Sequence, residues 1–232
     1  VVKKKAREVL KSIDEKVAGI TTHNVPAIRQ IRREFSRLLA NEDAPLIVAI
    51  AEALVRRGIF SDRLIAFELV AAHPKAFLSL NESTIVRWAR GLESWGDVDL
   101  FGCTIGGRAW REGLVSDKVI ARWSCSSDRW QRRLALVCTV PLNSRARGGR
   151  IDQARTLQVC KTLVDDRDDM VVKAMSWALR ELAKRDPQSV QAFLEKHNDR
   201  IAGRVKREVK NKLTTGKKNP RQSSRRAMSS SS

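Results

Sequence analysis

Apolar positions recur at three- and four-residue steps through almost the whole chain. Ile28, Ile31, Phe35, Leu38 and Leu39 form one such stripe, and Leu46, Ile47, Ile50, Leu54 and Val55 form the next. That spacing lines one face of an α-helix, whereas a half-buried strand alternates at every second residue. No segment sustains such alternation, so the pattern predicts an all-α chain. The breaks between stripes are short: Pro26, Asn41-Glu42-Asp43 before Pro45, Gly58, His73-Pro74, Asn81 to Ser83, Gly91, Ser126 to Asp128, and Asp186-Pro187. Connections of that kind fold consecutive helices into antiparallel pairs.

A faint internal repeat appears when Asp128-Arg129-Trp130-Gln131-Arg132 is laid over Asp169-Met170-Val171-Val172-Lys173. The offset of about 41 residues suits HEAT-like helix pairs, whose units stack because none can bury its apolar face alone. The expected architecture is an α-α superhelix, a solenoid with a concave groove; a compact helical bundle is the alternative. Residues 1–213 form the repeat domain in this reading. Residues 214–232, basic and then Ser-rich, lack the apolar content to fold and are expected to be disordered.

Charge narrows the partners. The chain of 232 residues carries a formal net charge of +19. From Gly203 onward ten Lys/Arg stand against one acidic residue, so residues 1 to 202 still hold 35 basic against 25 acidic groups. The folded body is therefore itself basic, and nucleic acid is the leading anionic partner. Cys103, Cys125, Cys138 and Cys160 are widely spaced with no CxxC pair, which favours a reduced intracellular setting, cytoplasm, nucleoid or nucleus, and no metal site. No apolar run approaches the roughly 20 residues of a membrane span, so no membrane partner is expected. Because Val1 already lies in a helical pattern, a longer natural N-terminus is expected.

One stretch carries candidate chemistry. In "ESWGDVDL", Glu93 to Leu100, Ser94 and Asp97 fit a capping box, which accounts for Asp97 structurally. Trp95 and Asp99, at i and i+4, project from one side of the helix so started. The plain account is that Trp95 packs in the core while Asp99 caps a neighbour or pairs with an arginine. Two further stretches weigh against it: "RWQRRLAL", with Arg132 and Arg133, and "SWALRELAKRDP", with Trp177 and Arg180 at i and i+3. Tryptophan faces attract something flat or cationic while arginines hold phosphates. Trp88, Trp110, Trp123 and Trp130 read as core residues, and His23, His73 and His197 show no partner spacing.

Together these stretches resemble the AlkD-like DNA alkylation repair glycosylases, HEAT-repeat proteins that excise N3- and N7-alkylated purines. The likeness runs from "HNVPAIRQIRREF" (His23 to Phe35) through "SWGDVD", "DRWQRRLAL" and "MSWALRELAK". It implies that Trp95, Asp99 and Trp177 are catalytic and that Arg133 and Arg180 contact DNA; Arg132 and Arg29 are weaker DNA-binding candidates. It also implies a monomer acting on double-stranded DNA containing alkylated purines, without metal or cofactor, and without a tight base pocket. Two features depart from the pattern: Gly96, where a bulkier residue is expected, and the long Gly/Arg loop "NSRARGGR" from Asn143 to Arg150.

The residue types suit that reaction. A purine made cationic by alkylation leaves readily, so charge builds up on the deoxyribose, where a carboxylate and two indole faces stabilise it. No lysine is singled out for a covalent imine, which favours a monofunctional hydrolase. The competing reading is a non-catalytic repeat protein binding damaged or branched DNA, which needs the arginines but not the carboxylate.

Overall fold

The computed structural model describes residues 2–22 and 24–220. Fourteen α-helices follow one another, and no strand occurs among the described residues. They are α1 (Val2–Ala18), α2 (Val25–Leu38), α3 (Ala44–Arg56), α4 (Phe60–Ala72), α5 (Pro74–Leu78), α6 (Glu82–Trp88), α7 (Trp95–Phe101), α8 (Gly107–Arg111), α9 (Asp117–Ser124), α10 (Arg129–Asn143), α11 (Gln153–Thr162), α12 (Asp169–Leu182), α13 (Pro187–Lys196) and α14 (Gly203–Thr215).

The helices form two layers. In the front layer α2, α4, α7, α10, α12 and α14 pack side by side in that order. The back layer contains α1, α3, α5, α9, α11 and α13, each packed on a front neighbour or on each other. The apolar stripes meet between the layers, where Ile47, Ile50, Leu54, Phe67, Leu136 and Leu179 are fully buried. This is the α-α superhelix expected from periodicity. Leu38 departs from its stripe: in the last turn of α2 it points to solvent, and Leu39 takes the buried place.

Local sequence sets the helix starts. Asn24, Ser94, Asp128 and Asp168 each accept a backbone N–H from the first turn of α2, α7, α10 and α12. With Ile59 and Ala202, these N-caps place the front helices at intervals of 35, 35, 34, 40 and 34 residues. The offset of about 41 seen in sequence thus belongs to one enlarged unit. Its extra length sits in the Asn143–Asp152 connection, where the other units turn more tightly.

The helix begun at Ser94 continues beyond α7. Residues Gly102–Gly106 form a π-helical turn that runs directly into α8, with Gly107 N–H donating to the Gly102 carbonyl. Glycine is required there by contact with α10: a Cβ on Gly107 would stand 2.4 Å from the Cys138 carbonyl oxygen, and one on Gly102 would stand 2.7 Å from Val137 Cγ1. The paired contacts run in the same order along both helices, so α7–α8 and α10 are parallel and closely appressed. At the C-terminus α14 ends on Gly216 at φ 71°. Its last turn extends past residue 213, and the serine-rich tail from residue 221 lies outside the described residues.

Candidate functional site

The start of α7 is fixed on three sides. Ser94 Oγ accepts the Asp97 N–H at 3.1 Å and donates to Asp97 Oδ2 at 2.7 Å. Asp97 Oδ1 lies 3.0 Å from Nη1 of Arg63 on α4, and Arg63 Nη2 donates to the Gly91 carbonyl at 2.8 Å. Asp97 is therefore structural, as its place in the capping box implied. Gly96 has its own partner: a Cβ there would lie 3.4 Å from Phe60 Cε2, so the Phe60 ring covers the spot that a larger side chain would fill.

This anchoring presents Trp95 to solvent, with 62% of its surface exposed. One turn on, Asp99 is held by α10. Arg133 Nε donates to Asp99 Oδ1 at 3.0 Å and Nη2 to Oδ2 at 2.8 Å, a bidentate pair. The third guanidinium nitrogen, Nη1, donates to the Met170 carbonyl in the first turn of α12 at 2.5 Å. Arg133 thereby ties three front-layer helices together. Its side chain is only 7% exposed, whereas that of Asp99 is 21% exposed, so the carboxylate and not the guanidinium faces the open side. Burial raises the Asp99 pKa above the ordinary carboxylate value; the hydrogen bonds and charge of Arg133 oppose that rise.

Trp177 lies on the same side of α12 as Met170, two turns further along, or about 10 Å of helix axis. Its ring is half-buried against the core. The structure joins Asp99 and Arg133 directly, with Trp95 one turn before Asp99 on α7; Trp177 lies on α12, whose first turn Arg133 reaches at Met170. Arg180, one turn beyond Trp177, is oriented from below: its Nε donates to Ser176 Oγ at 3.1 Å, and Ser176 donates to the buried Glu208 of α14 at 2.6 Å. Burial lowers the Arg180 pKa, against the charges of Glu208 and Glu181.

The two weaker arginines are committed elsewhere. Arg132 donates to Asp166 at 2.7 Å and to the Ser126 and Ser127 carbonyls, bracing the turn before α10. Arg29 pairs with Glu68 of α4 at 2.7 Å, with half of its side chain exposed. Trp88, Trp110 and Trp123 are core residues, and Trp130 is partly buried. His73 caps α5 through Nδ1, His197 packs at a tilt against Phe193, and His23 lies outside the described residues.

Sequence reasoning missed Arg63, Ser176 and Glu208. Ser176 sits one turn before Arg180, a spacing that could have flagged it; the link to Glu208 is tertiary. The charges of Arg147, Asp99, Glu181 and Arg133 all act on the Cys103 thiol, which burial pushes up to about 11.

A family model described as DNA alkylation repair enzyme matches residues 3–213. Among solved structures, the chain is similar to one described as "Predicted DNA alkylation repair enzyme from Enterococcus faecalis". The likeness has a TM-score of 0.67 and 16% identity, covering 91% of this chain and 96% of that one. Among curated proteins nothing matches.

Proposed function

Because this chain belongs to the DNA alkylation repair enzyme family, with the DNA-repair role that membership carries, we propose that it hydrolyses the N-glycosidic bond of cationic N3- and N7-alkylated purines in duplex DNA. The observation that carries the proposal is the pairing of an open-faced carboxylate with an exposed indole. Asp99 is clamped bidentately by Arg133, one turn from solvent-exposed Trp95.

Alkylation at N3 or N7 places a positive charge on the purine, so the base departs without strong acid assistance. As the C1′–N bond lengthens, positive charge gathers on the sugar. Asp99 stabilises that charge, and because Arg133 fixes both carboxylate oxygens, no side-chain reorganisation is needed as the charge develops. Each carboxylate oxygen keeps a second lone pair after bonding Arg133. Those lone pairs are available to orient a water molecule toward C1′; that water supplies the oxygen of the new bond and releases one proton to solvent, and the bonding electrons leave with the base, which departs neutral. Trp95 and Trp177 present π-faces to the sugar, each contributing about 0.5–2 kcal/mol of cation attraction.

Arg133 has a second effect. A bare carboxylate would repel the phosphates of the duplex, and its guanidinium partner offsets that charge. The phosphate-binding role then falls mainly on Arg180, with Arg133 contributing through its field.

Duplex DNA containing 7-methylguanine tests the proposal. Release of free 7-methylguanine with formation of an abasic site is expected. Tight binding without release would favour a non-catalytic binder of damaged DNA.

A further inference from the structure

The enlarged unit carries a feature that the proposed chemistry does not use. Its extra residues, in the connection from Asn143 to Asp152, supply three arginines, Arg145, Arg147 and Arg150, all exposed. An insertion with no task would be expected to be loose, and this one is pinned throughout. Buried Asn143 donates to Thr139 and Thr156 and accepts the Asp152 N–H. Arg111 reaches in from α8 to donate to the Arg147 carbonyl at 2.8 Å. A Cβ on Gly149 would lie 2.5 Å from the Pro141 carbonyl oxygen, so the loop crosses directly over the end of α10. Ile151 is held at φ 73°, a region that β-branched residues avoid.

This scaffold aims one side chain. Arg147 Nη1 donates to the carbonyl of Cys103 at 3.3 Å, its one protein hydrogen bond among the described residues. Cys103 follows Asp99 by one turn on the same continuous helix, about 6 Å along the axis. The Arg147 guanidinium is thus fixed to the helix turn that follows Asp99, with its remaining N–H groups free to bind. An exposed planar fork of donors with unused capacity suits a phosphate oxygen pair.

Resting on the DNA-repair reading above, we propose that the inserted loop is a further duplex contact and that Arg147 binds a backbone phosphate of the duplex that Asp99 engages. In this role Arg147 positions the strand and takes no part in bond cleavage. Arg145 and Arg150 add longer-range attraction.

The test uses the full chain and a short fluorescein-labelled duplex, with and without 7-methylguanine, titrated over a range of NaCl concentrations. Arg147→Ala is expected to weaken binding about three- to tenfold and to flatten the slope of log K against log salt by about 0.9, the loss of one phosphate contact. Arg147→Lys is expected to keep the slope while losing part of the affinity. Arg87→Ala, an exposed arginine paired with Glu52 on the back layer, is expected to change neither. If Arg147→Ala lowers the melting temperature, Arg147→Gln, which can still donate to the Cys103 carbonyl, replaces it with the same expected slope. Wild-type binding matched by the Arg147 variants, in affinity and in slope, overturns this inference alone. Failure of the wild-type chain to bind either duplex overturns the DNA reading, and this inference with it.

Discussion

Replacing Arg133 with methionine removes the guanidinium while keeping much of the side-chain stem, and so isolates the electrostatic part of the site. Arg133→Met breaks two charge-assisted bonds to Asp99, at 3.0 and 2.8 Å, and one bond to the Met170 carbonyl at 2.5 Å. Breaking a buried pair from one side costs about 3–5 kcal/mol, because the surviving charge is left uncompensated. Asp99 is one-fifth exposed, so water relieves part of that cost, and about 2–4 kcal/mol is expected. For a chain of this size that corresponds to a fall in Tm of about 5–15 °C. Calorimetry or urea denaturation of four proteins measures it: wild type, Arg133→Met, Asp99→Asn and the double variant. Removing both charges should recover most of the loss, leaving about 1 kcal/mol for the Met170 bond. A cost below about 1 kcal/mol for Arg133→Met, or a double variant no more stable than the singles, would refute the idea that this pair braces α7, α10 and α12.

Other consequences follow from the same packing. Gly96→Ala places its Cβ in ordinary contact with Phe60 and should raise stability by about 0.5–1 kcal/mol, read as a higher Tm. Gly107→Ala should cost about 1–3 kcal/mol and impair base release, because its Cβ would collide with the Cys138 carbonyl and the Pro141 ring. Iodoacetamide under native, mildly alkaline conditions should label Cys125 alone: Cys103, Cys138 and Cys160 are buried, with thiols pushed up to about 11, well above 9.0, and to about 12 respectively. The reaction needs Asp99 ionised, so base release should fall as pH drops through its raised pKa. Arg133→Met removes the opposing influence, so in single-turnover pH profiles its acid limb should move to higher pH; an unmoved limb would contradict the assignment.

The helical period and the N-caps are local signals, and they made most of the fold legible in sequence. Ser94 starts a helix where its side chain suggested, and Asp128 ends the break before α10, while the cap of α12 is Asp168, one residue before the Asp169 that the repeat matched to Asp128. Trp95 and Asp99 share a face because i and i+4 must do so on a helix. Pairing Asp99 with an arginine, one half of the plain account, is what the structure shows, while Trp95 is exposed where that account buried it. The regular interval of 34–35 residues was hidden because the clearest sequence match fell across the one enlarged unit. The π turn was also invisible, since it depends on how closely Gly102 and Gly107 approach α10. Likewise, Glu208 meets Ser176 only once α14 has packed on α12.

The central claim is that the Asp99 carboxylate stabilises an electron-deficient sugar as its base departs. Single-turnover release of 7-methylguanine by Asp99→Asn, compared with wild type at saturating protein, tests it most directly. The account predicts that duplex binding persists while the rate falls by at least about a hundredfold, the scale of losing one preorganised electrostatic contact. A rate within a few-fold of wild type, with binding intact, would contradict it.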